Sequence, residues 1–115
     1  ERLIDVEEIE KLSFNCFDLE PFRNRLFSLD RKTLIIVGIE AHICVLQTAL
    51  TAVEQGFTVH IVADATGSRT EKNHKIGLER MRDAGCVITS AEAAAFEIIK
   101  EAGTPLFKDM LKIIK

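Results

Sequence analysis

The succession of apolar runs and turn residues predicts an α/β fold: a doubly wound parallel sheet with helices on both faces. Three observations carry that expectation. From Lys32 onward strand-like and helix-like stretches alternate. The helix-to-strand loops are short, which in such an alternation calls for parallel strands joined by right-handed crossovers. And Leu34-Ile35-Ile36-Val37, ending at Gly38, is continuously apolar, the pattern of a strand buried on both faces.

The elements follow in order. Residues 1–16 have weak periodicity and read as an entry loop. Phe17–Leu29 reads as an amphipathic helix with Leu19, Phe22, Leu26 and Leu29 on one side. After the first strand a helix is expected from Cys44 to Gln55. There Val45, Ala49 and Ala52 recur at helical spacing, as do Leu46, Leu50 and Val53, and Gly56 serves as C-terminal cap. Phe57–Ala63, partly β-branched and aromatic, is the second strand. A turn at Asp64–Ser68 leads into a helix over Thr70–Ala84. It is opened by the capping-box spacing of Ser68 and Glu71 and closed by Gly85. Cys86-Val87-Ile88 is a third strand. Thr89 and Glu92 have the same capping-box spacing ahead of an Ala-rich helix to Ala102, and Pro105 fits the first turn of a last helix, Pro105–Ile114.

Composition bounds the function. With 47% apolar and 29% charged residues the 115-residue chain has the make-up of a globular domain, and its apolar content offsets the entropy that keeps disordered chains unfolded. No apolar run approaches the ~20 residues a membrane helix needs. A net charge of −3 without a Lys/Arg stripe disfavours nucleic acid. One domain, residues 1–115, is expected. Because the chain starts Glu1-Arg2-Leu3, without an initiator Met or a signal peptide, that domain is expected to be truncated at its N-terminus. Three cysteines, Cys16, Cys44 and Cys86, with no CxxC pair and no zinc-finger spacing, indicate reduced thiols and a cytoplasmic location, with organellar targeting left open.

One thiol is placed for chemistry. In open α/β sheets ligands collect where strands end and helices begin, and Cys44 follows the first strand at the start of the next helix. Backbone N–H groups at a helix N-terminus favour a thiolate, the nucleophilic form, and can hold an oxyanion once it has attacked. On the spacing alone, ordinary packing of Cys44 is the stronger reading.

The stretch Gly38-Ile-Glu-Ala-His-Ile-Cys44-Val-Leu-Gln-Thr-Ala resembles the nucleophile loop of the isochorismatase-like cysteine hydrolases. The similarity continues through Gly56-Phe-Thr-Val-His-Ile-Val-Ala-Asp64-Ala-Thr-Gly-Ser-Arg69. Upstream, Glu10-Lys11-Leu-Ser-Phe14 resembles the segment carrying that family's catalytic lysine, and Leu78–Gly85 is closest to the eukaryotic isochorismatase domain-containing proteins. The resemblance implies a Rossmann-like three-layer fold of which this chain holds the later strands and helices. It implies Cys44 as nucleophile and Lys11 as its electrostatic support. The backbone amides of Glu40 and Cys44 then serve as oxyanion donors, with a cis peptide at Ile39–Glu40 and hydrolysis of an amide C–N or related bond. The family's catalytic aspartate, at the end of its first strand, has no match. Asp5, in Leu3-Ile-Asp5-Val, stands six residues before Lys11, too few for a parallel crossover.

Other polar residues were weighed alongside. Phe14, Ile39 and His42 are possible pocket residues; His42 as base to Cys44 is the weaker alternative to lining the pocket or facing a subunit, and for Phe14 and Cys16 packing comes ahead of bordering the pocket. Asp64 reads as a turn organiser ahead of a substrate contact, Arg69 as half of an ion pair ahead of an anion anchor. His60 reads as a sheet residue, His74 as solvated and Cys86 as core. No His-x-His or similar spacing appears, so no metal is expected, and the chemistry the resemblance implies calls for no organic cofactor. A small-molecule substrate and a homo-oligomer are expected, without nucleic acid or membrane. The alternative is a catalytically silent scaffold or interaction protein of the same fold.

Overall fold

The computed structural model describes residues 13–99. Its elements are a 3₁₀ turn (Cys16–Asp18), α1 (Glu20–Ser28), β1 (Thr33–Ile39), a π-helical turn (Ala41–Val45), α2 (Leu46–Glu54), β2 (Thr58–Gly67), α3 (Glu71–Asp83), β3 (Val87–Thr89) and α4 (Ala91–Ile99). The strands form one parallel sheet in the order β1-β2-β3, with Ile35 opposite His60 and His60 opposite Val87. The expected α/β architecture is present. The expected entry loop up to residue 12, Lys11 and the helix Pro105–Ile114 lie outside the described residues.

Period-two alternation assigns the faces. Leu34, Ile36, Val59, Ile61 and Ile88 point to one side, where the π-helical turn, α2 and α3 contribute Val45, Leu46, Ala49, Ala52 and Met81. Val59, Ile61 and Met81 are the largest fully buried side chains, each worth about 1.5–3 kcal/mol by removal from water. Phe17, Phe22 and Leu26 close this core from the α1 side, with the Phe17 and Phe22 rings edge to face at 5.2 Å. Helix α4 lies on the opposite face, where Ala94, Glu97 and Ile98 meet Thr33, Ile35 and His60 around a groove of about 250 Å³.

Several expectations are corrected. β1 is covered on one face only: among the described residues nothing packs fully over Ile35, Val37 and Ile39, which are 48%, 55% and 73% exposed. The helix expected over Phe17–Leu29 breaks at Leu19, because Pro21 at the start of α1 lacks an N–H and its ring clashes with the carbonyl a turn earlier. Leu29 falls beyond the helix and is largely exposed. The helix expected from Cys44 begins as a π-helical turn and becomes α-helical only at Leu46.

β2 runs on to Gly67, past the turn expected at Asp64–Ser68. The extension is possible because the ladder slips: Ile36 pairs with Ile61 but Gly38 with Thr66, so residues 62–65 bulge from β1. Both capping boxes shift as well. Thr70, not Ser68, caps α3 by accepting the Asn73 N–H at 3.2 Å. Ser90, not Thr89, caps α4 by accepting the Ala93 N–H at 3.1 Å. Gly56 and Gly85 close α2 and α3 at positive φ, as expected of them.

Candidate active site

β1 delivers its C-terminal end to the site. The peptide Ile39–Glu40 is cis, and the chain then winds through the π-helical turn in which Cys44 sits. The turn closes on a single acceptor: the N–H groups of Ile43 and Val45 both donate to the Glu40 carbonyl, at 3.1 and 3.2 Å. Hydrogen bonding over five residues is rare and recurs at functional positions. Here it sets Cys44 one turn before Thr48, at the entrance to α2.

Two neighbours hold this turn, and a third holds α2 behind it. Helix α3 packs beneath it at Gly77, where a β-carbon would lie 3.0 Å from the Ala41 carbonyl oxygen and 3.0 Å from the His42 Cα. The loop after β2 grips it from the side: His42 Nδ1 lies 2.8 Å from Ser68 Oγ. Glu40 Oε1 accepts the Arg69 backbone N–H at 2.9 Å, while Oε2 pairs with Arg69 Nε at 3.2 Å. The third neighbour is the segment before α1. The Cys16 N–H donates to the hydroxyl of buried Thr48 at 3.0 Å, and Asn15 Nδ2 donates to Thr51 Oγ1 at 2.8 Å.

The candidate residues therefore divide. Ile39, Glu40, His42 and Cys44 come together by sequence proximity at the strand end. Phe14, 58% exposed, belongs to the segment tied to α2. His42 is engaged with Ser68 through its Nδ1. Asp64 has a structural partner, though not in the expected turn: its Oδ1 accepts the N–H of Ala91 at 2.8 Å, at the first residue of α4. Arg69 is the ion-pair half that was expected. His74 is not solvated; its Nε2 lies 3.0 Å from Thr66 Oγ1, whose hydrogen goes to the Ala63 carbonyl, so the ring nitrogen is the donor. Cys86 is core, and burial pushes its thiol pKa above the ordinary 9.0. Among the described residues no disulfide joins any two cysteines and no three His, Cys, Asp or Glu side chains gather as metal ligands. No helix among them is long and apolar enough to cross a membrane. A concavity of about 180 Å³, lined by Asp30, Lys32, Gln55 and Phe57, sits at the other end of β1 and holds no nucleophile.

Comparison with known proteins fits this geometry. The isochorismatase domain model matches residues 2–93. The secreted isochorismatase effector Isc1 of Phytophthora sojae is 41% identical over 112 residues, covering 96% of this chain and 53% of that protein. The solved structure described as the MAR1 ribonuclease of Caenorhabditis elegans superposes with a TM-score of 0.81 at 35% identity, over 90% of this chain and 53% of that one. The YcaC gene product of Escherichia coli, described as an octameric hydrolase of unknown specificity, superposes with a TM-score of 0.77 at 32% identity, over 80% of this chain and 45% of that one. The chain spans about half the length of the curated relatives it matches.

Proposed function

Since the chain belongs to the isochorismatase family, we propose that the protein is a cysteine hydrolase of small molecules. Cys44 is its nucleophile, Lys11 its electrostatic support and the backbone amides of Glu40 and Cys44 its oxyanion donors. One observation carries the proposal: Cys44 stands at the C-terminal end of β1, in a π-helical turn held by α3 and by the loop after β2. Ligands of open α/β sheets gather at such strand ends.

The reaction follows from these groups. The Cys44 sulfur attacks the carbonyl carbon of an amide, forming a C–S bond, and the negative charge on the oxygen is met by the amide donors. The C–N bond breaks as the leaving amine takes the proton given up by the Cys44 thiol. Water then cleaves the thioester, releasing the acid and restoring the thiol. Lys11 stands five residues before Cys16 in sequence, and the Cys16 N–H is anchored one turn beyond Cys44. The acid–base carboxylate is not supplied by Glu40, whose two oxygens are engaged by Arg69.

The same reading includes a single domain, a homo-oligomer and a cytoplasmic location. The exposed row Ile35, Val37 and Ile39 supports association, and three cysteines without a disulfide support a reducing compartment. A silent scaffold and an RNA substrate, the latter taken from the name of the C. elegans neighbour, are the competing readings. Incubating the protein and its Cys44→Ser variant with a panel of small amides and a structured RNA decides. Amide turnover and a covalent acyl mass that are lost in the variant support the proposal. RNA cleavage unaffected by the variant, or no turnover and no adduct, overturns it.

A further inference from the structure

An isolated chain does not favour the five-residue hydrogen bonding of Ala41–Val45, so contacts from outside must hold it. The loop after β2 supplies them. Thr66 and Gly67 pair with Gly38 and Ile39 in the ladder, which brings the next two residues alongside the turn. Ser68 meets His42 at 2.8 Å. Arg69 holds the Glu40 carboxylate twice, through its backbone N–H at 2.9 Å and its Nε at 3.2 Å. The Arg69 side chain is 90% exposed and that of Glu40 20%. A pair so open to water adds little to global stability. Its consequence is local: it fixes the residue that opens the turn, Glu40, as Ser68 fixes His42 within it.

We propose that Ser68 and Arg69 are positioning residues for Cys44, acting through His42 and Glu40. The inference rests on the reading of Cys44 as a nucleophile. Cys44 lies two residues beyond His42 and four beyond Glu40, within the same turn. Released from both contacts, the turn is able to re-register toward ordinary α-helical bonding, which rotates Cys44 about the helix axis. A misplacement of about 1 Å at a reacting group can cost about a hundredfold in rate.

The test is the alkylation rate of Cys44 by iodoacetamide in the full chain, read by peptide mass spectrometry beside thermal unfolding. Ser68→Ala and Arg69→Ala are each expected to slow Cys44 about threefold, and the double variant about tenfold, with little change in Tm. Ser68→Thr keeps the hydroxyl and Arg69→Lys keeps the charge and the main-chain bond; both are expected to recover most of the rate. Unchanged rates in the double variant overturn this inference and leave the nucleophile standing. Slowing that tracks a fall in Tm and is not recovered by the conservative variants also overturns it. A wild-type Cys44 no faster than Cys16 and Cys86 overturns both. Where Arg69→Ala does not fold, the Ser68→Ala and Ser68→Thr pair carries the comparison, and equal rates in the two overturn the inference.

Discussion

Gly77 approaches Ala41 so closely that a β-carbon on it would stand 3.0 Å from the Ala41 carbonyl oxygen. The contact is backbone against backbone, between the middle of α3 and the start of the π-helical turn, so neither partner can swing aside. A glycine inside a helix costs about 1 kcal/mol relative to alanine, and here the close approach accounts for it. Gly77→Ala is therefore expected to destabilise the fold in spite of its better helix propensity. Overpacking costs of about 1–3 kcal/mol outweigh the gain. Urea unfolding measures the sign, with exposed Lys75→Ala on the same helix as a neutral control.

The segment before α1 reaches the site through Thr48. Its buried hydroxyl accepts the Cys16 N–H at 3.0 Å, one turn beyond Cys44. Thr48→Val keeps the shape and removes the acceptor, which is expected to cost about 1–3 kcal/mol. Amide exchange at Cys16 should accelerate more than exchange within α2. Equal acceleration in both would show that the bond does not tie the segment locally.

Asp64 carries a structural load. Its Oδ1 holds the first N–H of α4, beside the Ser90 cap on Ala93. Asp64→Ala is expected to lower stability by about 0.5–2 kcal/mol, the usual cost of losing a helix-terminal acceptor. It should leave the Cys44 alkylation rate within about twofold, because helix α4 packs on the other side of the sheet. Thermal unfolding and the labelling rate, taken on the same sample, check both halves.

Cys86 gives the pH dependence. Burial raises its folded pKa above the ordinary 9.0, so the unfolded chain ionises first as pH rises. The stabilisation is complete below pH 9 and is lost as pH climbs from there toward the folded value. Wild-type stability should therefore fall more steeply above pH 9 than that of Cys86→Ala. Parallel slopes from pH 8 to 10.5 would contradict the assignment.

Much of this was legible in the order of residues, and what was not has physical causes. Alternating apolar runs and the glycines at positions 56 and 85 located the strands and helices, because burial periodicity and helix termination are local. The family resemblance in Gly38–Ala49 also located the strand end at which Cys44 sits. The errors are equally specific. Pro21 forbids the helix that the apolar spacing of Phe17–Leu29 suggested, a rule the periodicity overrode. The two-sided burial read into Leu34–Val37 assumed neighbours on both faces, which composition cannot supply. Ser68, Thr48 and the Glu40 carboxylate were missed as site supports, since each acts across 26 to 32 residues of chain. Only Gly77 gave a local signal, a glycine in mid-helix.

The central claim is that the turn at the end of β1 makes Cys44 an activated nucleophile. Its most direct measure is the iodoacetamide labelling rate of each cysteine in the folded protein near neutral pH, followed by peptide mass spectrometry and referenced to the unfolded chain. The account predicts that Cys44 labels about tenfold or more faster than Cys16, and faster still than buried Cys86. Equal, slow labelling of all three thiols would contradict it.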